Sequence, residues 1–245
     1  MVYLRLASGY RAGGPNQVVP GVPPQYAPDK TKTYEVGAKG DAFEHLISFD
    51  ASVYYIDWQD IQLSLVNPTT GQNYIGNASG AKSEGVELSV EVRPATGLTL
   101  AAWVAWDEAQ LTDAFPTGGA GQIYGAAGDR LPYSARWSGN IAVNEEFPLG
   151  AGLSGFAGGS VSYVGDRLDN FASPPPSPPQ RQDLPAYAKT DLRAGVKYES
   201  WTGNLYVTNV TDRRGLLGGG VGNFIPYAFQ YIQPRTVGLS VSKIF

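Results

Sequence analysis

Gly85-Val-Glu-Leu-Ser-Val-Glu-Val-Arg93 alternates without a slip. Val86, Leu88, Val90 and Val92 fall on one side, and Gly85, Glu87, Ser89, Glu91 and Arg93 on the other. A period of two belongs to an extended chain whose two sides meet different surroundings, so this stretch is predicted to be a β-strand with one apolar face. The same pattern recurs in both directions. Leu192, Ala194, Val196 and Tyr198 oppose Asp191, Arg193, Gly195, Lys197 and Glu199; Val237, Leu239, Val241 and Phe245 oppose Thr236, Gly238, Ser240 and Ser242. Earlier apolar sets are Val2, Leu4, Leu6; Tyr34, Val36, Ala38; Phe49, Ala51, Val53, Tyr55; and Leu98, Leu100, Ala102, Val104, Trp106. Ile141 with Val143, Val161 with Tyr163, and Leu205 with Val207 complete a reading of ten strands.

The connections carry a second signal. Short turns are expected at Asp41–His45, Pro94–Gly97, Phe147–Gly152 and Ser200–Gly203. Between them lie long Gly/Pro/Asn-rich stretches at Arg11–Thr31, Val66–Gly80, Ala114–Leu131, Asp166–Leu184 and Gly215–Gln233. Short and long connections alternate, which puts the tight turns at one end and the long loops at the other. That is the plan of an antiparallel up-and-down outer-membrane barrel with periplasmic turns and extracellular loops.

Composition narrows the classes. The 245 residues suit one all-β domain. Aromatics at 12% and abundant β-branched residues exclude a disordered chain. A net charge of -4 argues against a nucleic-acid surface. With no cysteine there is neither a disulfide framework nor a thiolate metal site. No stretch reaches about eighteen apolar residues, so no transmembrane helix is predicted. Barrel strands escape such a test because they alternate, and the mean hydropathy of -0.20 is compatible with them. Met1-Val-Tyr-Leu-Arg-Leu6 reads as a strand rather than a signal peptide, so the expectation is a start upstream of Met1 or a fragment.

Alternation alone leaves a soluble β-sandwich open. Three features favour the barrel. Runs such as Leu46–Leu65 and Leu98–Thr112 exceed ordinary globular strands and reach the roughly nine to eleven residues of a membrane crossing. Tyr55, Trp58, Trp106, Trp137, Tyr163, Tyr187, Tyr198 and Trp201 sit near strand ends, as interfacial girdles require. The chain also stops in mid-strand on Phe245, and Val237, Leu239, Val241 and Phe245 resemble the terminal signature read by the barrel-assembly machinery. Lys243 departs from that pattern and is expected to snorkel near the periplasmic interface.

The order of several short stretches carries a resemblance. They are Ser8-Gly-Tyr-Arg-Ala-Gly-Gly-Pro-Asn16, Thr33-Tyr-Glu-Val-Gly-Ala-Lys-Gly40, Val53-Tyr-Tyr-Ile-Asp-Trp-Gln-Asp-Ile-Gln62, and Asn77-Ala-Ser-Gly-Ala-Lys-Ser-Glu-Gly-Val-Glu87. Gly128-Asp-Arg-Leu-Pro-Tyr-Ser-Ala-Arg-Trp137, Asn209-Val-Thr-Asp212 and Pro234-Arg-Thr-Val-Gly-Leu-Ser-Val241 follow. Together they resemble the C-terminal half of the barrel of a TonB-dependent outer-membrane receptor. The resemblance implies the last ten strands of a twenty-two-stranded barrel. It also implies a Gram-negative outer membrane, outer-membrane lipid as surroundings, and uptake of a scarce nutrient, foremost a ferric siderophore. The plug domain and the segment that meets the TonB system are N-terminal in the family and fall outside residues 1–245, so this portion is not expected to transport alone.

The charged inward set (Arg5, Glu35, Lys39, Asp50, Glu87, Glu91, Arg93, Arg136, Asp191, Arg193) is expected to line a hydrated lumen rather than form ion-pair ladders, which add little net stability. Tyr26, Tyr74, Tyr124, Arg130, Phe171, Arg181, Phe224, Tyr227 and Tyr231 are the candidate ligand residues, because loop aromatics and arginines hold siderophores or sugars by stacking and charge. No catalytic constellation is found. His45, the single histidine, falls in a predicted periplasmic turn, and Asp57, Asp60, Glu145 and Glu146 read as rim or turn carboxylates in solvent. Gly218-Gly-Gly-Val-Gly222 lacks the Lys-Ser/Thr of a phosphate loop, and Ser173–Gln180, with five prolines, reads as a stiff loop tip. Asn77-Ala-Ser and Asn209-Val-Thr match a glycosylation pattern that means little in a bacterial protein. No cofactor, metal or nucleic acid is expected. The alternative reading is a small stand-alone outer-membrane barrel acting as an adhesin or passive pore.

Overall fold

The alternating stretch around Val86–Val92 sits inside a long strand, Ala81–Ala95, in the computed structural model, which describes residues 1–67, 69–77, 79–114, 125–169, 171, 181–219 and 229–244. Ten long strands form one sheet. They are β1 (Val2–Arg11), β2 (Asp29–Ala42), β3 (Ile47–Gln59), β4 (Ala81–Ala95), β5 (Leu98–Leu111), β6 (Trp137–Gly150), β7 (Leu153–Val164), β8 (Tyr187–Tyr198), β9 (Trp201–Thr208) and β10 (Thr236–Lys243). Each pairs antiparallel with the next in sequence, giving a ten-stranded meander. Among the described residues β1 and β10 are its two edges.

Directly paired residues share a face, so register separates the two surfaces. One carries Leu4↔Val36, Val36↔Val53, Val53↔Val86, Val86↔Trp106 and Trp106↔Trp137. Leu4 is 69%, Ile141 69% and Leu239 73% exposed, so this apolar face has no protein cover among the described residues. The other surface carries Arg5↔Glu35, Lys39↔Asp50 and Ser52↔Glu87. Among the charged inward set, ion pairs join only Arg5 with Glu35 (3.6 Å) and Arg93 with Glu91 (2.7 Å) across the described residues. Lys39 instead lies over the Tyr3 ring, at 5.4 Å, and Arg193 donates to Asn144 Oδ1 at 2.6 Å. Arg136 departs from the expectation: its guanidinium reaches Glu108 on the apolar-face row, at 2.7 Å.

Four aromatic rings lie against glycines directly opposite them on the polar surface. Tyr3 covers Gly37, Tyr54 covers Gly85, Phe156 covers Gly195 and Tyr206 covers Gly238. At each of these glycines a Cβ would run into the ring. The missing side chain is what lets the ring press onto the backbone and cover strand that would otherwise be open.

The turns are tighter than expected. Strands continue to Ala95 and Gly150, leaving residues 96–97 and 151–152 as the connections. Pro94 and Pro148 are absorbed at register shifts in the ladders, where a missing N–H costs no hydrogen bond. The last turn is residues 199–200, earlier than the expected Ser200–Gly203, because Trp201 already pairs with Tyr198. In the first turn Phe43, Glu44 and His45 all take positive φ (52°, 55° and 68°), an arrangement that glycine or asparagine more often supplies.

Other expectations change. The Leu46–Leu65 run is not one strand. It breaks after Gln59, where Asp60 turns to φ 56°, and resumes as Gln62–Val66 paired with Asn73–Asn77. Tyr55, Trp106, Trp137, Tyr163, Tyr198 and Trp201 follow the apolar face, but Trp58 and Tyr187 turn to the polar one. Trp58 finds a carboxylate there (3.2 Å to Asp29) and Tyr187 an arginine (5.6 Å to Arg167). Glu146 is not merely solvated: Ser154 donates to it at 3.3 Å and Lys197 pairs with it. Lys243 lies over Trp201 on the apolar side, 5.1 Å from the ring centre. Phe245 and 173–180 lie outside the described residues, as do 220–222 of the glycine run.

Candidate functional site

The long connections cluster at one end of the sheet and carry their own hairpins. Gly14–Pro15 pairs with Gln25–Tyr26, Gln62–Val66 with Asn73–Asn77, Arg167–Leu168 with Asp183–Leu184, and Leu216–Gly219 with Phe229–Tyr231. The first two are tied to each other by side-chain amides. Asn16 exchanges two hydrogen bonds with the Ile75 backbone (2.8 and 3.0 Å), an amide side chain standing in for a strand partner. Asn77 does the same with Ala27 (2.6 and 2.9 Å) and donates to the Asp60 carbonyl at 2.7 Å. Asn209, 1% exposed, donates to the Arg213 and Gln233 carbonyls. The two asparagines of the glycosylation-like triplets are therefore loop pins.

Asp29, 2% exposed at the start of β2, anchors the first loops. It accepts from Arg11 Nε (2.8 Å), Arg11 N (3.1 Å), Trp58 Nε1 (3.2 Å) and the Gln62 amide (3.4 Å), and Arg11 Nη2 pairs with it as well. Arg11 also lies over the Trp58 ring, at 5.4 Å. A buried carboxylate is tolerated only when charge and hydrogen bonds surround it, and here they come from three segments of chain.

Beside this clamp is a small apolar core of Ile61, Ala81 and Leu111, with Trp58, Leu63, Leu131 and Phe171 against it. Phe171 leads to the second cluster. The Arg181 guanidinium sits 4.9 Å from its ring centre, donates to the Arg130 carbonyl at 2.6 Å, and shares the Asp169 carbonyl through Nη2 (2.8 Å) and Nε (3.3 Å). Burial pushes the Arg181 guanidinium below its ordinary pKa, while Asp129 and Asp169 act against that shift. Arg130 pairs with Asp166 at 2.7 Å and holds that carboxyl below its usual range. The structure thus brings together three predicted residues, Arg130, Phe171 and Arg181.

The others are elsewhere. Tyr26 lies on Gly14 in the first hairpin, and Tyr74 pairs with Leu65 in the second. Tyr231 is exposed beside Phe229, at 6.5 Å between ring centres. Tyr124, Phe224 and Tyr227 lie outside the described residues.

Arg167 was not among the sequence candidates. It is 8% exposed, donates from Nη2 to the Leu216 carbonyl at 2.5 Å, and among the described residues leaves Nε without a hydrogen-bond partner. Among the described residues neither Arg167 nor Arg181 has a carboxylate within ion-pair distance. A buried and a half-buried guanidinium at the long-loop end are thus held by carbonyls and rings. Asp129 and Asp169 still act on Arg181 from beyond ion-pair distance. A recess of about 1110 Å³ lies at the opposite end, among the tight turns near Phe43, Arg93 and Phe147. Its one arginine, Arg93, is paired with Glu91, so the loop end carries the stronger case for ligand recognition.

The sequence matches a family model described as TonB dependent receptor-like, beta-barrel, over residues 1–210. It is 25% identical over 190 residues to the metal-pseudopaline receptor CntO of Pseudomonas aeruginosa, covering 77% of this chain and 24% of that protein. The fold resembles the ferric yersiniabactin uptake receptor FyuA of Yersinia pestis with a TM-score of 0.75 at 23% identity, over 98% of this chain and 34% of that one. For the siderophore receptor PiuA of Acinetobacter baumannii the TM-score is 0.69 at 15% identity, over 98% and 33%. The chain spans about a quarter of the curated relative's length and about a third of these solved receptors.

Proposed function

The chain belongs to the TonB-dependent receptor β-barrel family of the Gram-negative outer membrane, and from that premise we propose that it forms part of the wall of an uptake receptor for a ferric siderophore. In this reading the apolar face meets lipid, the polar face meets the lumen, and the tight turns are periplasmic. The edges β1 and β10 join the remaining strands of a twenty-two-stranded cylinder. A plug and a TonB-binding segment belong to the parent, supply the energised step, and lie outside residues 1–245. The barrel-assembly machinery reads Val237, Leu239, Val241 and Phe245. The chain carries no catalysis.

One observation supports the ligand class most directly: among the described residues Arg167 is a buried and Arg181 a half-buried cation at the long-loop end, neither with a carboxylate within ion-pair distance. Ferric chelates of catecholate or carboxylate groups are commonly anionic, and desolvated arginines grip such groups strongly. CntO, FyuA and PiuA are named for metal or siderophore substrates, which agrees with that chemistry. The test is uptake of radiolabelled iron, supplied as a panel of ferric siderophores, by cells with this coding region intact, disrupted, or carrying Arg181→Ala. Loss of uptake of one chelate on disruption, matched by loss on removing TonB, is expected. Undiminished uptake of every chelate overturns the reading.

A further inference from the structure

Glu145 is the outlier of the apolar face. It stands on β6 between Val143 and Phe147, paired with Leu98 on one side and Ala157 on the other. Its place in the sequence suggests a solvated turn, but β6 runs on to Gly150. Among the described residues it is the one carboxylate on this face between the row Val53, Val86, Trp106, Trp137 and the tight turns. It is exposed. From Trp137 to Glu145 is about 27 Å of strand. At the usual tilt of a barrel strand that is about 20 Å of height, in an apolar band about 25 Å tall. Glu145 therefore stands just inside the edge of the band nearer the tight turns.

Among the described residues no cation answers it. Lys197, on the polar surface, is taken by Glu146. Arg193 donates to Asn144 Oδ1 at 2.6 Å, also on that surface. Lys243, on the apolar face, lies over Trp201 four strands away. A charge that faces lipid persists where a partner neutralises it. Beside Glu145 the wall is hollowed: Ala157, Gly159 and Ala194 leave a depression of about 520 Å³ bordered by Val143, Leu192 and Leu205. On the side of the turns the Phe147 ring lies against Gly155, directly opposite it, and Leu149 reaches the same glycine. One carboxylate thus stands between an apolar hollow toward the middle of the band and an aromatic ring toward its edge.

We propose that Glu145 and this hollow hold a phospholipid with a primary ammonium headgroup, in the leaflet nearer the tight turns. The ammonium pairs with the Glu145 carboxylate beside the Phe147 ring, and an acyl chain lies in the hollow. The carboxylate selects a cation, a ring face favours the same charge, and such a lipid carries ammonium and alkyl chain in one molecule at this depth. The inference rests on the membrane orientation given above. The site is separate from the lumen and from the loop cluster around Arg181.

The experiment uses the full receptor purified from outer membranes in mild detergent, with co-purified lipid quantified by mass spectrometry. Stripped protein is then re-titrated with phosphatidylethanolamine, its N-acetylated form, and phosphatidylglycerol. Glu145→Gln is compared with Glu44→Gln, in a tight turn at the same end. The wild type should prefer phosphatidylethanolamine to both other lipids. Glu145→Gln should retain about fivefold less of it, and Glu44→Gln should match the wild type. Equal retention by Glu145→Gln, equal loss in Glu44→Gln, equal binding of either other lipid, or a protein cross-linked through position 145 in place of lipid would each overturn the proposal. If Glu145→Gln does not assemble, the three lipids on the wild type decide alone. Wild-type protein recovered outside the membrane would instead sink the orientation on which the site depends.

Discussion

Asp29 shows how much one side chain can hold when its partners come from distant parts of the chain. It joins Arg11, Trp58 and Gln62, which enter from three separate segments. Hydrogen bonds to a charged group are worth about 1.5–3 kcal/mol, so Asp29→Ala should lower stability by about 2 kcal/mol. The urea midpoint in detergent checks this, and an unchanged midpoint would mean the clamp is idle. Asp166 supplies a pH test outside the membrane. Arg130 holds its carboxyl low against the opposing effect of burial. The contribution is therefore present above the ordinary carboxylate pKa of about 4 and is lost as pH falls through the lower folded value. In a carboxyl NMR titration Asp166 should move back up in Arg130→Gln; an unmoved titration would show that Arg130 is not the cause. Arg130, Phe171 and Arg181 were legible as loop arginines and a loop aromatic, and the structure brings these three together. Arg167 was not, since nothing in Gly165-Asp-Arg-Leu168 reveals that its guanidinium will be covered by Tyr187 and Leu216. Asn77 and Asn209 were hidden by a motif that drew attention to the wrong chemistry.

At the scale of strands, the two faces are the strongest claim, and neighbouring residues can be set against each other. Ile141 faces outward and Asn140 inward on β6. Arginine on the lipid side near the midplane costs about 2–4 kcal/mol, whereas lumen positions tolerate charge. Ile141→Arg should thus fold into lipid vesicles far less completely than Asn140→Arg, and equal yields would reject the assignment. Gly195→Ala should also destabilise the sheet, by about 1–3 kcal/mol as overpacking does. Its Cβ would meet both the Phe156 ring and the Gly203 carbonyl. The same substitution at Gly203, where the nearest atom is 3.9 Å away, is the matched control for melting temperature. Alternation made the strands readable, but the aromatic–glycine pairs depend on register, and register depends on how each turn is closed. The turn estimates missed by a few residues because Pro94 and Pro148 read as breakers and are absorbed by the ladders instead. Position near strand ends alone places Trp58 and Tyr187 in the girdle. Parity along their strands, once fixed, turns them to the other face.

For the whole molecule, an antiparallel meander with all long connections at one end fixes the polarity of insertion, and the loop cluster, lumen and lipid surface follow from it. Residues 1–245 hold no cysteine, so they add no background to a single introduced one. The decisive measurement places cysteine at Gln72 or Ala127 in long connections, or at Thr96 in a tight turn, in protein exported to a Gram-negative outer membrane. Intact cells are then treated with a membrane-impermeant maleimide. Labelling of the Gln72 and Ala127 positions in intact cells, with Thr96 labelled only after the outer membrane is opened, is the predicted result. Labelling of Thr96 from outside, or loop positions that react only after opening, would contradict the barrel orientation and with it the functional reading.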